Sequence, residues 1–308
     1  MNEGRYRAAE SRLWQSVGVS PTERRVHLDR AGVTVRVLEV GNGPAVLFVH
    51  GATNGATSWA SLVARLPGFR CILLDRPGCG LSDPLISMSR GMDSLDVLAD
   101  GLIVDVLDAL GLASAHVAAT SFGGYFAFRG AAAHPDRIDR IIEFSWPFGA
   151  PIARIPPMMR IAGVPVLRQL MARIPPNERA VKMMLRQIGL GAALDSGSFT
   201  QIDLEWYLSL LRDTNTVRNE LRAAPRIILP VGGLNESVLL AQDVISKIRH
   251  PVYFLWGGLD PQGGAVDAEQ FAGRFANAQL EMMPGAGHAP WMDDPEHAAL
   301  ATIRFLSA

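Results

Sequence analysis

The sequence predicts an α/β fold: a mostly parallel, eight-stranded sheet flanked by helices, with a helical insertion past its midpoint. Three observations carry that expectation. Short apolar runs alternate with helix-length amphipathic stretches along most of the 308 residues, as in chains whose parallel strands are covered on both faces. The alternation fails between 147 and 235, where no buried strand can be read and Pro, Arg, Met and Leu accumulate. Third, the apolar stretch His116-Val117-Ala118-Ala119-Thr120 leads into Ser121, then Phe122-Gly123-Gly124 and an apolar run to 133. That pattern writes a strand, a tight turn and a helix. Small residues at 119 and 123 are needed where the strand and helix backbones nearly touch.

Residues 1–15 are charged and lack the apolar core of a secretory signal, so they read as a short amphipathic helix. Residues 25–28 and 33–38 alternate around Asp29-Arg30-Ala31-Gly32, the pattern of a hairpin. Buried strands follow at 45–49, 71–74, 115–119, 141–144 and 252–256, with a weaker last one at 280–283. Helical patterns lie between them at 58–66, 95–110, 122–133, 268–275 and 295–306. Inside the insertion, helices are expected over 157–174, 178–188, 199–212 and 216–224. The expected division is an N-terminal helical extension, 1–23, a core from 24–146 and 236–308, and a helical cap, 147–235.

Composition bounds the function. A chain of this length can bury a large core. Hydrophobic residues at 48% with 19% charged fit a globular protein. A net charge of −1 without a basic block argues against nucleic acid as partner. No apolar stretch has the length of a membrane span. Cys71 and Cys79 show no metal spacing and read as two reduced thiols, which points to the cytoplasm. The seven histidines lack ligand spacing and no phosphate loop is present. No metal and no cofactor are therefore expected, and the expected partner is a small-molecule substrate. Nothing in the sequence encodes an oligomeric state.

Serine catalysis needs a base, a group that orients the base, and donors for the oxyanion. Ser121 is the candidate nucleophile. His288 lies in Pro284-Gly285-Ala286-Gly287-His288-Ala289-Pro290-Trp291, after the last strand and before the C-terminal helix. Imidazole suits general-base work near neutral pH. Asp260 ends Phe254-Leu255-Trp256-Gly257-Gly258-Leu259-Asp260, just past a buried strand, where a carboxylate can accept the imidazole Nδ1–H. The site after the preceding strand, Ser145-Trp146-Pro147, holds no acid. The oxyanion donors are expected to be the backbone N–H of Phe122 and that of Ala52, in the loop His50-Gly51-Ala52-Thr53-Asn54-Gly55. His50 is expected to hold its loop by hydrogen bonds, and the stretch 75–83 to be structural.

On these motifs the chain resembles the α/β-hydrolase superfamily from about residue 24 to the C-terminus. The motifs are His50-Gly51 after a strand, Asp75-Arg76-Pro77-Gly78-Cys79-Gly80-Leu81-Ser82-Asp83, the serine elbow, Trp256-Gly257-Gly258-Leu259-Asp260 and Gly287-His288. The order Ser, Asp, His is that family's order. Ala119 stands where the family's elbow usually has Gly. Within the superfamily, Ser121 argues against the Asp-nucleophile dehalogenases and epoxide hydrolases. Ala52-Thr53-Asn54 and Phe122 differ from the pattern of proline iminopeptidases. Ala289 stands where ring-cleavage-product C–C hydrolases usually have Trp directly after the histidine. The resemblance thus implies a serine esterase or lactonase of a small, fairly apolar substrate. The rivals are C–C, amide or peracid chemistry with the same triad, and a non-enzymatic ligand receptor on the same fold. Trp146, Phe148, Met158, Met159, Met183, Met184, Trp206, Tyr207 and Trp291 are the expected pocket walls, because adaptable Met and aromatic side chains suit an apolar cavity.

Overall fold

A computed structural model of the chain describes residues 1–85, 93–152, 154, 155, 157–227 and 234–308, without the side chains of 93, 94, 158, 159, 223, 225 and 226. Eight strands form one sheet: β1 Thr22–Leu28, β2 Val33–Val40, β3 Ala45–Val49, β4 Arg70–Asp75, β5 Ala115–Thr120, β6 Ile138–Phe144, β7 Val252–Gly257 and β8 Ala278–Met283. Their order across the sheet is β1-β2-β4-β3-β5-β6-β7-β8. β1 with β2 and β2 with β4 are antiparallel, and the remaining neighbours are parallel.

The helices are α1 Glu3–Ser16, α2 Ala60–Val63, α3 Asp93–Leu110, α4 Phe122–Ala133, α5 Pro157–Gly163, α6 Pro165–Met171, α7 Glu178–Gln187, α8 Gly191–Ser196, α9 Gln201–Asp213, α10 Thr216–Ile227, α11 Gln242–Ile245, α12 Ala265–Ala272, α13 Pro290–Asp293 and α14 Pro295–Leu306. The continuous helix expected over 157–174 is instead two, because Pro165 cannot continue the hydrogen-bond ladder and opens α6 at its first turn. The helix expected at 58–66 is a short 3-10 turn, Ala56–Trp59, running into α2.

Alternate side chains of the central strands point to opposite faces. Val46, Phe48, Leu73, Ala118, Ile142, Phe144 and Leu255 join one core cluster with α14 and residues of α7 to α9. Leu47, Val49, Ile72, Leu74, Val117, Ala119, Ile141 and Phe254 join the other with α3, α4 and α12. Burial on both faces explains why these strands read as unbroken apolar runs.

Between β6 and β7 the named elements are α5 to α11 and a 3-10 turn, and the bridge from Phe148 to Ala150 there is isolated. The N-terminal helix α1 packs on α9. Its cap residue Asn2 donates N–H to Asp213 O at 2.6 Å. On its other side, Glu10 of α1 accepts from the buried Arg36 Nη1 at 3.0 Å, and Arg36 also reaches Glu23 and Asp75 at 2.9 and 3.3 Å.

The strand order reverses about β3, since β4 lies on one side of it and β5 on the other. A crevice opens at the carboxyl ends of strands at such a point. Residues 50–55 leave β3 there, and Ser121 leaves the adjacent β5.

Candidate active site

Ser121 stands between β5 and α4 with φ 53° and ψ −121°, a backbone region that side chains other than glycine's rarely adopt. The turn is tight enough that a Cβ on Gly123 would lie 2.0 Å from Val49 O, so only glycine fits. The Ser121 carbonyl is held by Phe148 N–H at 2.9 Å. Ser121 itself is partly exposed. Ala119 lies inside the sheet, paired with Glu143, and its methyl is accommodated there.

The histidine and aspartate meet. His288 Nδ1 and Asp260 Oδ2 are 2.7 Å apart, and the Asp260 side chain is fully buried. Facing a carboxylate, Nδ1 is the donor. Trp146 N–H donates to the same Oδ2 at 3.1 Å, and Gln262 N–H donates to Oδ1 at 2.9 Å. Three donors therefore fix the carboxylate. The loop carrying His288 is pinned at several points. Gly287 N–H donates to Asp293 Oδ2 at 2.9 Å, Gly287 O accepts from Ser145 Oγ at 3.0 Å, and His288 N–H donates to Ile188 O at 3.0 Å. No hydrogen bond among the described residues joins Ser121 Oγ to His288. Such contacts often tighten only when substrate binds.

The loop after β3 is held as firmly. His50 Nδ1 donates to Gly51 O at 2.7 Å while Nε2 accepts from Arg76 N–H at 3.1 Å. Burial, then the neighbouring Arg76 charge, pushes the His50 imidazole well below its usual range, so it is neutral. Arg76 is buried. Its Nε donates to His50 O and its Nη2 to Gly51 O, both at 2.9 Å, and its guanidinium lies 4.8 Å over the Phe122 ring. Nη2 also donates to Glu220 Oε1 of α10 at 2.7 Å. Thr53 adopts φ 49°, a strained value for a β-branched residue. Tyr207 of α9 lies against it. Burial pushes that phenol up to about 12, with the Thr53 side chain opposing in part. Among the described residues, the amides of Ala52 and Phe122 donate to no backbone acceptor.

The other sequence-expected residues separate. Trp146 and Phe148 are buried beside this cluster: the Trp146 and His288 rings are 6.5 Å apart, and Phe148 meets Phe122 edge-on at 5.0 Å. Trp291 is not a pocket wall. It stacks on Trp59 at 4.2 Å and donates Nε1–H to Ser58 O, deep in the core. Trp206 is likewise turned away, toward Tyr6 of α1. Met183 is 51% exposed on the outer surface of α7, while Met184 packs on the core. The side chains of Met158 and Met159 lie outside the described residues.

Sequence reasoning passed over Arg76, Ser145, Ile188 and Glu143. Arg76 was inside a stretch read as structural, although an arginine at the inner end of an apolar strand is itself a signal of a buried pair. Ser145 adopts φ 61° and bonds both Gly287 O and Gly257 N–H. Glu143 is fully buried under the elbow, and neither oxygen has a partner of hydrogen-bond geometry among the described residues. Burial pushes its carboxyl well above the usual range, against the nearby Ser121 amide.

A model of the alpha/beta hydrolase family matches residues 46–302. The chain belongs to that family. Among its α/β-hydrolase relatives, it is 28% identical over 283 residues to 2-hydroxy-6-oxononadienedioate/2-hydroxy-6-oxononatrienedioate hydrolase of Burkholderia vietnamiensis, covering 90% of this chain and 88% of that one. Its structure is similar to that of 2-hydroxy-6-oxo-6-phenylhexa-2,4-dienoate hydrolase from Rhodococcus, with TM-score 0.77 at 18% identity, covering 94% of this chain and 100% of that one. A carboxylesterase from Bacillus subtilis gives TM-score 0.77 at 18% identity, with 99% and 98% covered. At such identities the structural likeness speaks to the α/β-hydrolase fold alone. Among the described residues of this α/β hydrolase, no helix is long and apolar enough to cross a membrane.

Proposed function

We propose that this α/β hydrolase cleaves a carboxylic ester or lactone of a small, fairly apolar substrate through an acyl-enzyme. The observations that carry the reading are the 2.7 Å bond between His288 Nδ1 and buried Asp260 and a serine held at φ 53° in the turn between β5 and α4. His288 Nε2 takes the Ser121 Oγ proton as Oγ attacks the carbonyl carbon. Asp260 fixes the tautomer and stabilises the imidazolium. The amides of Ala52 and Phe122 receive the tetrahedral oxyanion. His288 returns the proton to the leaving oxygen, and water activated by the same imidazole then releases the acyl group. In this reading the helices over 147–235 act as the cap, with Trp146, Phe148 and Tyr207 nearest the reacting centre.

A second reading is favoured by the names of the sequence relatives, which are hydrolases of C–C bonds in oxo-dienoates. The same serine would attack a ketone and release a carbon leaving group. Steady-state turnover over esters and lactones of increasing chain length, run beside a 2-hydroxy-6-oxo-dienoate, separates the two. Turnover of an aryl ester that Ser121→Ala abolishes, with the fold intact by circular dichroism, is the expected result. Turnover of the dienoate alone overturns the ester reading. Full activity in Ser121→Ala overturns both.

A further inference from the structure

The inserted helices carry a charge balance of their own. Residues 147–186 hold six arginines, one lysine and a single carboxylate, Glu178, a net of +6 in a chain of net −1. The rest of the chain is therefore −7. The cations are scattered singly, so no basic run shows in the sequence. Lys182 and Arg186 are paired, with Glu178 and Asp195. Arg154, Arg160, Arg173 and Arg179 are exposed, and none of them enters an ion pair with a described residue.

The same surface is apolar. Val166, Leu170 and Ile174 are each more than half exposed, with Leu167 and Ile161 close behind. Positions 166, 167 and 170 share one face of α6 at helical spacing, and Ile174 follows three residues past its end. The opposite side of this hairpin is satisfied: Ala162 of α5 packs with Leu221 and Ala224 of α10, beside Met171 and Ala172. The outward apolar row thus has no partner among the described residues, and two of the arginines without an ion pair there, Arg160 of α5 and Arg173 just past α6, belong to the same hairpin.

We propose that the outer face of α5 and α6 docks on a lipid bilayer with anionic headgroups. Branched side chains enter the acyl boundary while the arginines reach back to headgroup phosphates. Charge selects this occupant over a second copy of the chain, because a two-fold interface would set one arginine-bearing face, with no carboxylate in α5 or α6, against an identical one. A nucleic acid would gain nothing from the leucine and valine row. Docking there also suits an apolar substrate held in the bilayer, since α5 begins only 11 positions after Trp146, which lies beside His288.

The test is cosedimentation of the full chain with vesicles of ether-linked lipids, which a hydrolase cannot cleave. Binding to vesicles containing phosphatidylglycerol, and little to pure phosphatidylcholine, is expected. The triple variant Arg160→Glu, Arg173→Glu, Arg179→Glu should bind roughly tenfold or more weakly, and so should Val166→Ser with Leu170→Ser. Unchanged melting of these exposed-site variants controls for folding. Equal binding to both vesicle types, or none, overturns the proposal. So does a stable dimer in light scattering that Leu170→Ser dissolves, which would assign the face to a second copy. Capture of an acidic protein without vesicle binding overturns it as well. None of these outcomes depends on the ester reading of Ser121.

Discussion

Arg76 and Glu220 meet at 2.7 Å across 144 positions of chain, joining the loop after β3 to helix α10. The same Arg76 Nη2 holds Gly51 O, and its guanidinium covers the ring of Phe122. One buried cation thus touches both sides of the expected oxyanion hole and is neutralised from the inserted helices. Cys79 Sγ lies 3.1 Å from the same Glu220 oxygen.

Removing the carboxylate leaves the Arg76 charge buried and unpaired. Glu220→Ala should cost about 3 kcal/mol of stability and lower kcat toward the roughly hundredfold loss of a missing oxyanion donor, with a smaller change in KM. Glu220→Gln keeps an acceptor oxygen and should retain more of both. Thermal melting and ester kinetics on the two variants check this ordering.

Asp260→Asn should slow kcat on the order of 10⁴-fold, by analogy with the serine-protease aspartate. The amide leaves one oxygen for donors that now approach two: His288 and Trp146 at Oδ2, Gln262 at Oδ1. One N–H then faces an NH₂ group, so melting should also fall, by about 1–3 kcal/mol of stability. Unchanged kcat in this variant would remove Asp260 from the mechanism.

Gly189 touches the histidine loop backbone to backbone. A Cβ there would stand 2.8 Å from Leu259 O and 2.9 Å from Gly287 Cα, at φ +86°. Gly189→Ala should therefore displace the His288 loop, lowering kcat more than it raises KM and lowering the melting temperature. An exposed control, Met183→Ala, should change neither.

Asp293 supplies a pH test. Burial pushes its carboxyl from 3.8 to about 6, against the hydrogen bond from Gly287 N–H. The folded state holds this proton more tightly than the unfolded chain does. Its stabilisation is therefore complete below the unfolded value of 3.8 and is lost as pH rises through about 6. Asp293→Asn keeps an acceptor for Gly287 and does not titrate. It should melt with wild type near pH ~4 and above it at pH ~7.5, by about 1 kcal/mol after allowing for solvent screening of a partly exposed group. Equal melting at both pH values would contradict the shift.

Glu143 and Gly124 form a steric pair under the elbow. A Cβ on Gly124 would lie 2.6 Å from Glu143 Oε1. Gly124→Ala should destabilise the fold, and Glu143→Ala should relieve part of that loss by opening space. Strict additivity in the double variant would rule the contact out.

All eight strands were legible: β3 to β7 because a strand buried on both faces must be an apolar run, β1 and β2 because they alternate around a turn, and the half-buried β8 only weakly. The elbow was legible because its geometry admits only small residues at fixed offsets. Helix α9 was also legible, but its faces were not. Trp206 and Tyr207 are neighbours in sequence, yet one turns to Tyr6 of α1 and the other to Thr53. Periodicity says that a helix has a buried side and not what it is buried against. Trp291 failed for the same reason: an aromatic three residues from His288 reads as a wall until Trp59 is found stacked on it. The short helices α8, α11 and α13 are below the length at which a 3.6-residue period can be counted.

By itself the sequence determined the order of the strands and of the longer helices, the tight turn around Ser121, and the order Ser121, Asp260, His288. Each of these is written in local spacing and composition. Only the tertiary structure decided that His288 is held by Ile188, that Arg76 is answered by Glu220, and that Val166 and Leu170 face outward. Those facts depend on which distant surfaces meet, and a contact between residues a hundred or more positions apart imposes no pattern on the residues beside either partner.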